Sequence, residues 1–223
     1  PVHGNLNPAF VLTENGFVWL MGLSKRHEGH VLEDIARLMC SVMFFCTPLQ
    51  TEGQWQSALR MGFEISKISD LSDPRLMPAS KLGFDRYPHI NLTWAVLQKC
   101  LTFARCYVKG DGRPNQLLVP LLRCAVDTMN DVHDEGVDVA EWFQSDPARY
   151  FQYHWALDAS IIWSKAIMKN LGLDKPELDT LIFATPVSGA SVEQPVGRIL
   201  RNGSSPHRPL IVDVVDTLVN DVD

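Results

Sequence analysis

Leu178-Asp-Thr-Leu-Ile-Phe-Ala-Thr-Pro186, Ser191-Val-Glu-Gln-Pro-Val-Gly-Arg-Ile-Leu-Arg201 and Pro209-Leu-Ile-Val-Asp-Val-Val-Asp216 decide how the last quarter of this chain is read. The apolar runs at 180–184 and 210–215 read as neighbouring strands, and the segment 196–201 between them reads as a helix followed by a Gly/Ser-rich loop. Strand, helix and strand in that order predict an α/β fold for this part. Gln194, Gly197, Arg198 and Arg201 fall on a Gln-x-x-Gly-Arg-x-x-Arg spacing. On a helix Gln194, Arg198 and Arg201 stand four and three residues apart, so they share one face while Ile199 and Leu200 can pack behind.

Working outward, Asp146-Pro147 reads as a cap followed by proline at the first helical position. From there to Asn170 the positions of Tyr150, Phe151, His154, Leu157, Ile161, Ile162, Lys165 and Met168 fit one long helix. Further back, 74–88 is rich in Pro, Ser and Gly and reads as a loop. Asn91 reads as the cap of a helix running through Val108, with Leu92, Val96, Leu97, Cys100, Leu101, Ala104 and Val108 on its apolar face. Gly110-Asp-Gly-Arg-Pro114 ends it. An apolar segment at 117–129 follows, with Pro120 expected in its first turn. At the N-terminus, 1–16 reads as an irregular arm and 17–23 as a buried strand. Val31, Leu32, Ile35, Ala36, Leu38 and Met39 then give an amphipathic helix continuing into Met43 and Phe44.

Composition narrows the function classes. With 223 residues and 46% apolar content the chain can bury a sizeable core. Charged residues are only 21% and the formal net charge is −6, which opposes broad electrostatic binding of nucleic acid by this chain alone. The five cysteines, Cys40, Cys46, Cys100, Cys106 and Cys124, form no Cys-x-x-Cys pair and sit among apolar neighbours, so buried free thiols in a reducing compartment are expected. No apolar run approaches the roughly 20 residues needed to span a bilayer. Pro1-Val-His-Gly lacks the pattern of a signal peptide, and a first residue other than Met suggests processing or a boundary. These features lead to the expectation of an intracellular protein without a membrane partner.

The Gln-x-x-Gly-Arg-x-x-Arg spacing resembles the sixth motif of superfamily 2 helicases. The stretch from Ile167 to Pro186, with Gly172 and Asp174, resembles the fifth. The resemblance covers residues 160–216 and points to helicases of viral or phage type. It implies a RecA-like second motor domain at 151–223, after a mainly helical region at 54–150 and an N-terminal arm with strand and helix at 1–53. It also implies a strand at 159–164, where periodicity reads helix. Carried over, Arg198 and Arg201 would be catalytic, stabilising charge on a transferred γ-phosphoryl group. Gln194 would face the nucleotide, Gly172 would allow close backbone approach and Asp174 would make a polar contact at the cleft. Two departures stand in the sequence: Leu171 precedes Gly172 where such relatives often have Glu, and Pro195 requires the motif helix to start at Gln194.

No Gly-x-x-x-x-Gly-Lys-Ser/Thr phosphate loop occurs in these residues. The resemblance therefore implies ATP and Mg²⁺ only through a partner, a first RecA-like domain or separate chain, with DNA or RNA as a further partner and no metal ligands here. The alternative class is a non-catalytic, helix-rich viral or phage structural or assembly protein with a helicase-like tail. Its host compartment would be the cytoplasm or nucleus of an infected cell. Other constellations favour plain structure. His27-Glu-Gly-His30 is one residue short of the His-Glu-x-x-His spacing, and His133-Asp-Glu135 reads as a solvated turn. The aromatic group Trp142, Phe143, Tyr150, Phe151, Tyr153 and Trp155 reads as core or interface in preference to a base-stacking surface.

Overall fold

The computed structural model describes residues 1–76, 78, 86–108, 111–132, 145–171, 180–183 and 210–213. The chain divides into two compact units, Pro1–Leu171 and Gly172–Asp223. The described residues are mainly helical, and their strands form two two-stranded pairs.

The first unit opens with a structured N-terminus where the sequence suggested an irregular arm. Strands β1 (Val11–Glu14) and β2 (Phe17–Leu20) pair antiparallel, with Glu14 opposite Phe17. The two linking residues, Asn15 and Gly16, have φ of 49° and 81°, as a tight type I′ hairpin turn requires. All four residues of β2 are exposed, Phe17 at 67% and Trp19 at 59%, so the strand expected to be buried is a surface hairpin. The chain ahead of it is tied down by α1 (Glu33–Cys40): the Asp34 carboxylate accepts from the backbone N–H groups of His3 (2.6 Å) and Gly4 (2.9 Å).

After Cys40 the helix widens into a π-turn over Ser41–Phe45, which buries Met43 and Phe44. Helix α2 (Glu52–Ser66) starts at Thr51, whose side chain accepts from the Gln54 N–H. Helix α3 (Pro88–Tyr107) begins earlier than the Asn91 cap predicted: Pro88 occupies the first turn, with Tyr87 at the cap position. Its buried face is Ile90, Thr93, Trp94, Leu97, Cys100, Leu101 and Ala104, whereas Leu92 is 68% exposed. Helix α4 (Asn115–Val132) contains Pro120 beyond its first turn. The missing N–H there deprives the Gln116 carbonyl of its usual donor.

Helix α5 (Pro147–Asn170) is capped by Asp146, which accepts from the Arg149 N–H at 3.1 Å. It is helical throughout, so the strand that the helicase resemblance implied at 159–164 is not formed. Ala159, Ser160 and Trp163 are buried on one helical face with Phe151, Trp155 and Ala156. A strand would turn alternate members of that set away from the core. Helix α5 packs on α4 and α2 and belongs to the Pro1–Leu171 unit, so residues 151–171 lie with the helical body.

Trp94, Trp155 and Trp163 are almost wholly buried. Trp155 meets Phe44 edge to face at 5.3 Å, and the Trp163 indole N–H donates to the Gly62 carbonyl at 3.3 Å. This aromatic wedge between α5, the π-turn and α2 forms the centre of the core, which answers the aromatic-cluster question in favour of packing for Phe151 and Trp155. Trp142 and Phe143 lie outside the described residues.

In the second unit, β3 (Thr180–Phe183) pairs parallel with β4 (Leu210–Asp213), Thr180 opposite Leu210 and Phe183 opposite Asp213. The expected neighbouring strands are thus present at the expected positions. Among the described residues no helix is long and apolar enough to cross a membrane.

Candidate functional site

A cavity of about 540 Å³ opens on the helical body where α1, α4 and the end of α5 meet. One stripe of α4, Gln116, Val119, Pro120, Arg123 and Cys124, forms its floor, because these positions recur at helical spacing. Glu33 and Arg37, one turn apart on α1, make one wall; Asn170 and Leu171 close the far end. Side-chain hydrogen bonds join the rim: His30 Nε2 to Gln116 Oε1 at 3.2 Å, and Asn170 Nδ2 to Asn115 Oδ1 at 3.0 Å. Apolar surface with a few convergent polar groups and a volume of several hundred Å³ is the usual composition of a small-molecule site.

The charges are unevenly satisfied. Arg37 pairs with Asp127 at 3.3 Å, yet its Nε is buried without a partner among the described residues. Arg113 forks onto Asp111, with Nη2 at 2.6 Å and Nε at 2.9 Å, and that side-chain contact, with the Arg113 backbone N–H, holds the Asp111 carboxyl below the usual range. Arg123 is exposed and has no ion pair within 4 Å among the described residues. Outside the rim, His27 sits 3.3 Å from Glu33. The Lys25 carbonyl, followed by Glu33, raises the His27 pKa above its ordinary value.

At the floor lies the buried Cys124, and the Cys40 thiol of α1 donates to the Leu121 carbonyl, one turn earlier on α4, at 3.6 Å. Burial pushes the Cys40 thiol well up. Cys124 is held below the ordinary thiol range, first by its neighbour Cys40 and then by Arg37 and Arg123, against the effect of its own burial. Cys40, Cys100 and Cys124 are buried free thiols as the sequence suggested, while Cys46 and Cys106 are exposed.

Arg198, Arg201, Gln194, Gly172 and Asp174 lie outside the described residues, as do the 196–201 helix and His133-Asp-Glu135. His27 and His30 are separated in role, one turned to Glu33 and the other to Gln116. Among the described residues no group of three His, Cys, Asp or Glu side chains could hold a metal ion. The cavity residues were missed by sequence reading because His30, Gln116 and Asn170 converge only through packing. The one local signal was the spacing of Glu33 and Arg37, one turn apart on α1. No family model, curated protein or solved structure matches the chain.

Proposed function

We propose that residues 172–223 are part of the second motor domain of a nucleic-acid-dependent ATPase of the superfamily 2 helicase type. The observation that carries this reading is the parallel pairing of β3 with β4, with the Gln194-x-x-Gly-Arg-x-x-Arg201 segment in the connection between them. Two parallel strands in one sheet require a crossover of a dozen or more residues, usually helical. A helix in that crossover would present Gln194, Arg198 and Arg201 together. In this reading Arg198 and Arg201 reach an ATP·Mg²⁺ site whose phosphate loop and metal ligands come from a first RecA-like domain or partner chain, with DNA or RNA as the track. Residues 159–164 drop out of the motif because they are helical.

The test is ATP turnover, with and without nucleic acid, by this chain together with the phosphate-loop-bearing domain or chain that completes it. Arg198→Ala is expected to lower turnover by roughly two to four orders of magnitude with the melting temperature unchanged. Arg198→Lys should rescue poorly because a point charge does not reproduce the planar fork. Loss of stability with unchanged turnover per folded molecule would overturn the motor reading.

A second reading is favoured by the separate helical body Pro1–Leu171. In it the chain is a non-catalytic structural or assembly protein, of the viral or phage kind, carrying a helicase-like tail. Arginine substitutions would then alter assembly or stability and leave no ATPase to lose.

A further inference from the structure

Three arginines line the α1–α4 cavity of a chain whose formal net charge is −6. Arg37 comes from α1, Arg113 from the turn before α4 and Arg123 from α4 itself. Their counter-charges are unequal. Arg113 is paired with Asp111 at 2.6 Å, and Asp111 does not line the cavity. Arg37 reaches Asp127 at 3.3 Å, a longer contact to a carboxylate that is also outside the lining, and its Nε is buried with no partner among the described residues. Arg123 is exposed and has no ion pair within 4 Å among the described residues. Glu33 is the one carboxylate on the lining, and it stands 3.3 Å from His27 Nε2. His30 is held as a neutral ring, because its Nδ1 accepts from the Leu32 N–H while Nε2 meets Gln116 Oε1. Once His27 is protonated and balances Glu33, the recess keeps an excess of one positive charge, that of Arg123. Beside the arginines the lining is apolar, with Val119, Pro120 and Leu171.

We propose that this cavity binds a small organic monocarboxylate, its carboxylate held by Arg123 and Arg37 and its apolar body laid against Val119, Pro120 and Leu171. The planar guanidinium fork matches a carboxylate in shape and charge. An excess of one positive charge suits a monoanion, whereas a phosphate dianion would bring a second charge that nothing on the lining compensates. The volume of about 540 Å³ is that of a small-molecule site. The amides on the rim are already committed: Gln116 Nε2 donates to the Asp111 carbonyl at 2.7 Å, and Asn115 Oδ1 accepts from Asn170 Nδ2 at 3.0 Å. Discrimination between the anion and a neutral analogue therefore falls on the arginines, and the apolar surface supplies the rest of the affinity.

The experiment titrates sodium octanoate into the folded, isotopically labelled full chain and follows backbone and methyl resonances. It is run at pH 6, where His27 is largely protonated because the Lys25 carbonyl, followed by Glu33, raises its pKa above 6.5. The neutral match is 1-octanol, and inorganic phosphate is the anion without an apolar body. The expected result is saturable shifts at Val119, Arg123 and Leu171 with a millimolar or tighter octanoate Kd. Octanol and phosphate should bind at least about tenfold more weakly. Arg123→Gln should weaken octanoate about tenfold and leave octanol binding and the melting temperature unchanged, since Arg123 is exposed. Val119→Asp, at a position 50% exposed on α4, places a like charge on the floor and should give at least the same loss. Octanol or phosphate binding as tightly as octanoate would overturn the proposal. So would octanoate shifts confined to the exposed β1–β2 hairpin, unchanged octanoate affinity in both variants, or no saturable shift at all.

Discussion

Helix α5 and the β1–β2 hairpin are both rich in large apolar side chains, yet they end in opposite surroundings. The helix places Phe151, Trp155, Ala159 and Trp163 in the core, whereas the hairpin leaves Leu12, Phe17, Val18, Trp19 and Leu20 exposed. Each element is specified locally: Asp146-Pro147 starts the helix, and Asn15-Gly16 closes the hairpin. Local chemistry therefore determined the type of each element, and packing partners determined what each buries. The helix faces α2, α4 and the π-turn; the hairpin is a two-stranded ribbon whose described residues have no second apolar layer against either face, an arrangement of limited intrinsic stability.

The largest expected effect breaks this contrast at one residue type. Trp163→Ala removes a fully buried indole and its bond to Gly62, and should destabilise the body by about 3–5 kcal/mol. Trp19→Ala removes an indole that is 59% exposed and should stay within about 0.5 kcal/mol. Urea unfolding followed by far-UV circular dichroism measures both. Equal losses would mean that the hairpin is packed as tightly as α5 and that its exposure has been misassigned.

A smaller effect sharpens the contrast within the N-terminal region. Gly4 has φ of 79°, and a Cβ there would collide with the Lys25 carbonyl oxygen. Gly16 has φ of 81°, but nothing lies within 4 Å of its added Cβ. Gly4→Ala should therefore cost about 1–3 kcal/mol, locally releasing the arm that links Val2 to His27. Gly16→Ala should cost about 1 kcal/mol and loosen only the turn. Amide exchange at Val2 and His27 should rise tenfold or more in the first variant and remain unchanged in the second. The reverse pattern would show that the hairpin turn, and not the Asp34-bound arm, anchors this region.

These cases show what could be read in advance. The α5 cap, its length and the β3–β4 neighbours were legible because each depends on residues close in sequence. The start of α3 is legible too: Pro88 fits the first helical turn by the same proline rule that locates α5, and the helix starts there and not at Asn91. Asn15-Gly16 carries the signal of a two-residue hairpin turn, and it accounts for a hairpin at 11–20 in place of the arm and buried strand expected there. The strand implied at 159–164 came from motif resemblance, and it yielded to the burial of Ala159, Ser160 and Trp163 on one helical face. The cavity was not legible at all. Its residues come from segments far apart in the chain, and no single segment carries its pattern of arginines around a buried thiol.

The smallest expected effect concerns the partly wet side of α5. His154 and Asp158 stand one turn apart near Trp55. Burial lowers the His154 pKa, with Asp158 opposing; burial raises the Asp158 pKa, with His154 opposing. A histidine with a depressed folded value binds fewer protons in the native state, so its contribution is complete above its unfolded value near 6.5 and declines as pH falls through it. Asp158 behaves oppositely: its contribution is present below 3.8 and is lost as pH rises through the raised folded value. Both groups are half in solvent, so each amounts to only a few tenths of a kcal/mol after screening. The unfolding free energy of wild type minus His154→Gln should fall by that amount from pH 7.5 to 5.5. Asp158→Asn should stabilise the body slightly at pH 7 and lose the advantage by about pH 3.5. A wild-type difference that grows on acidification would mean that His154 is favoured in its charged form, and that α5 presents a polar flank to solvent where burial was inferred.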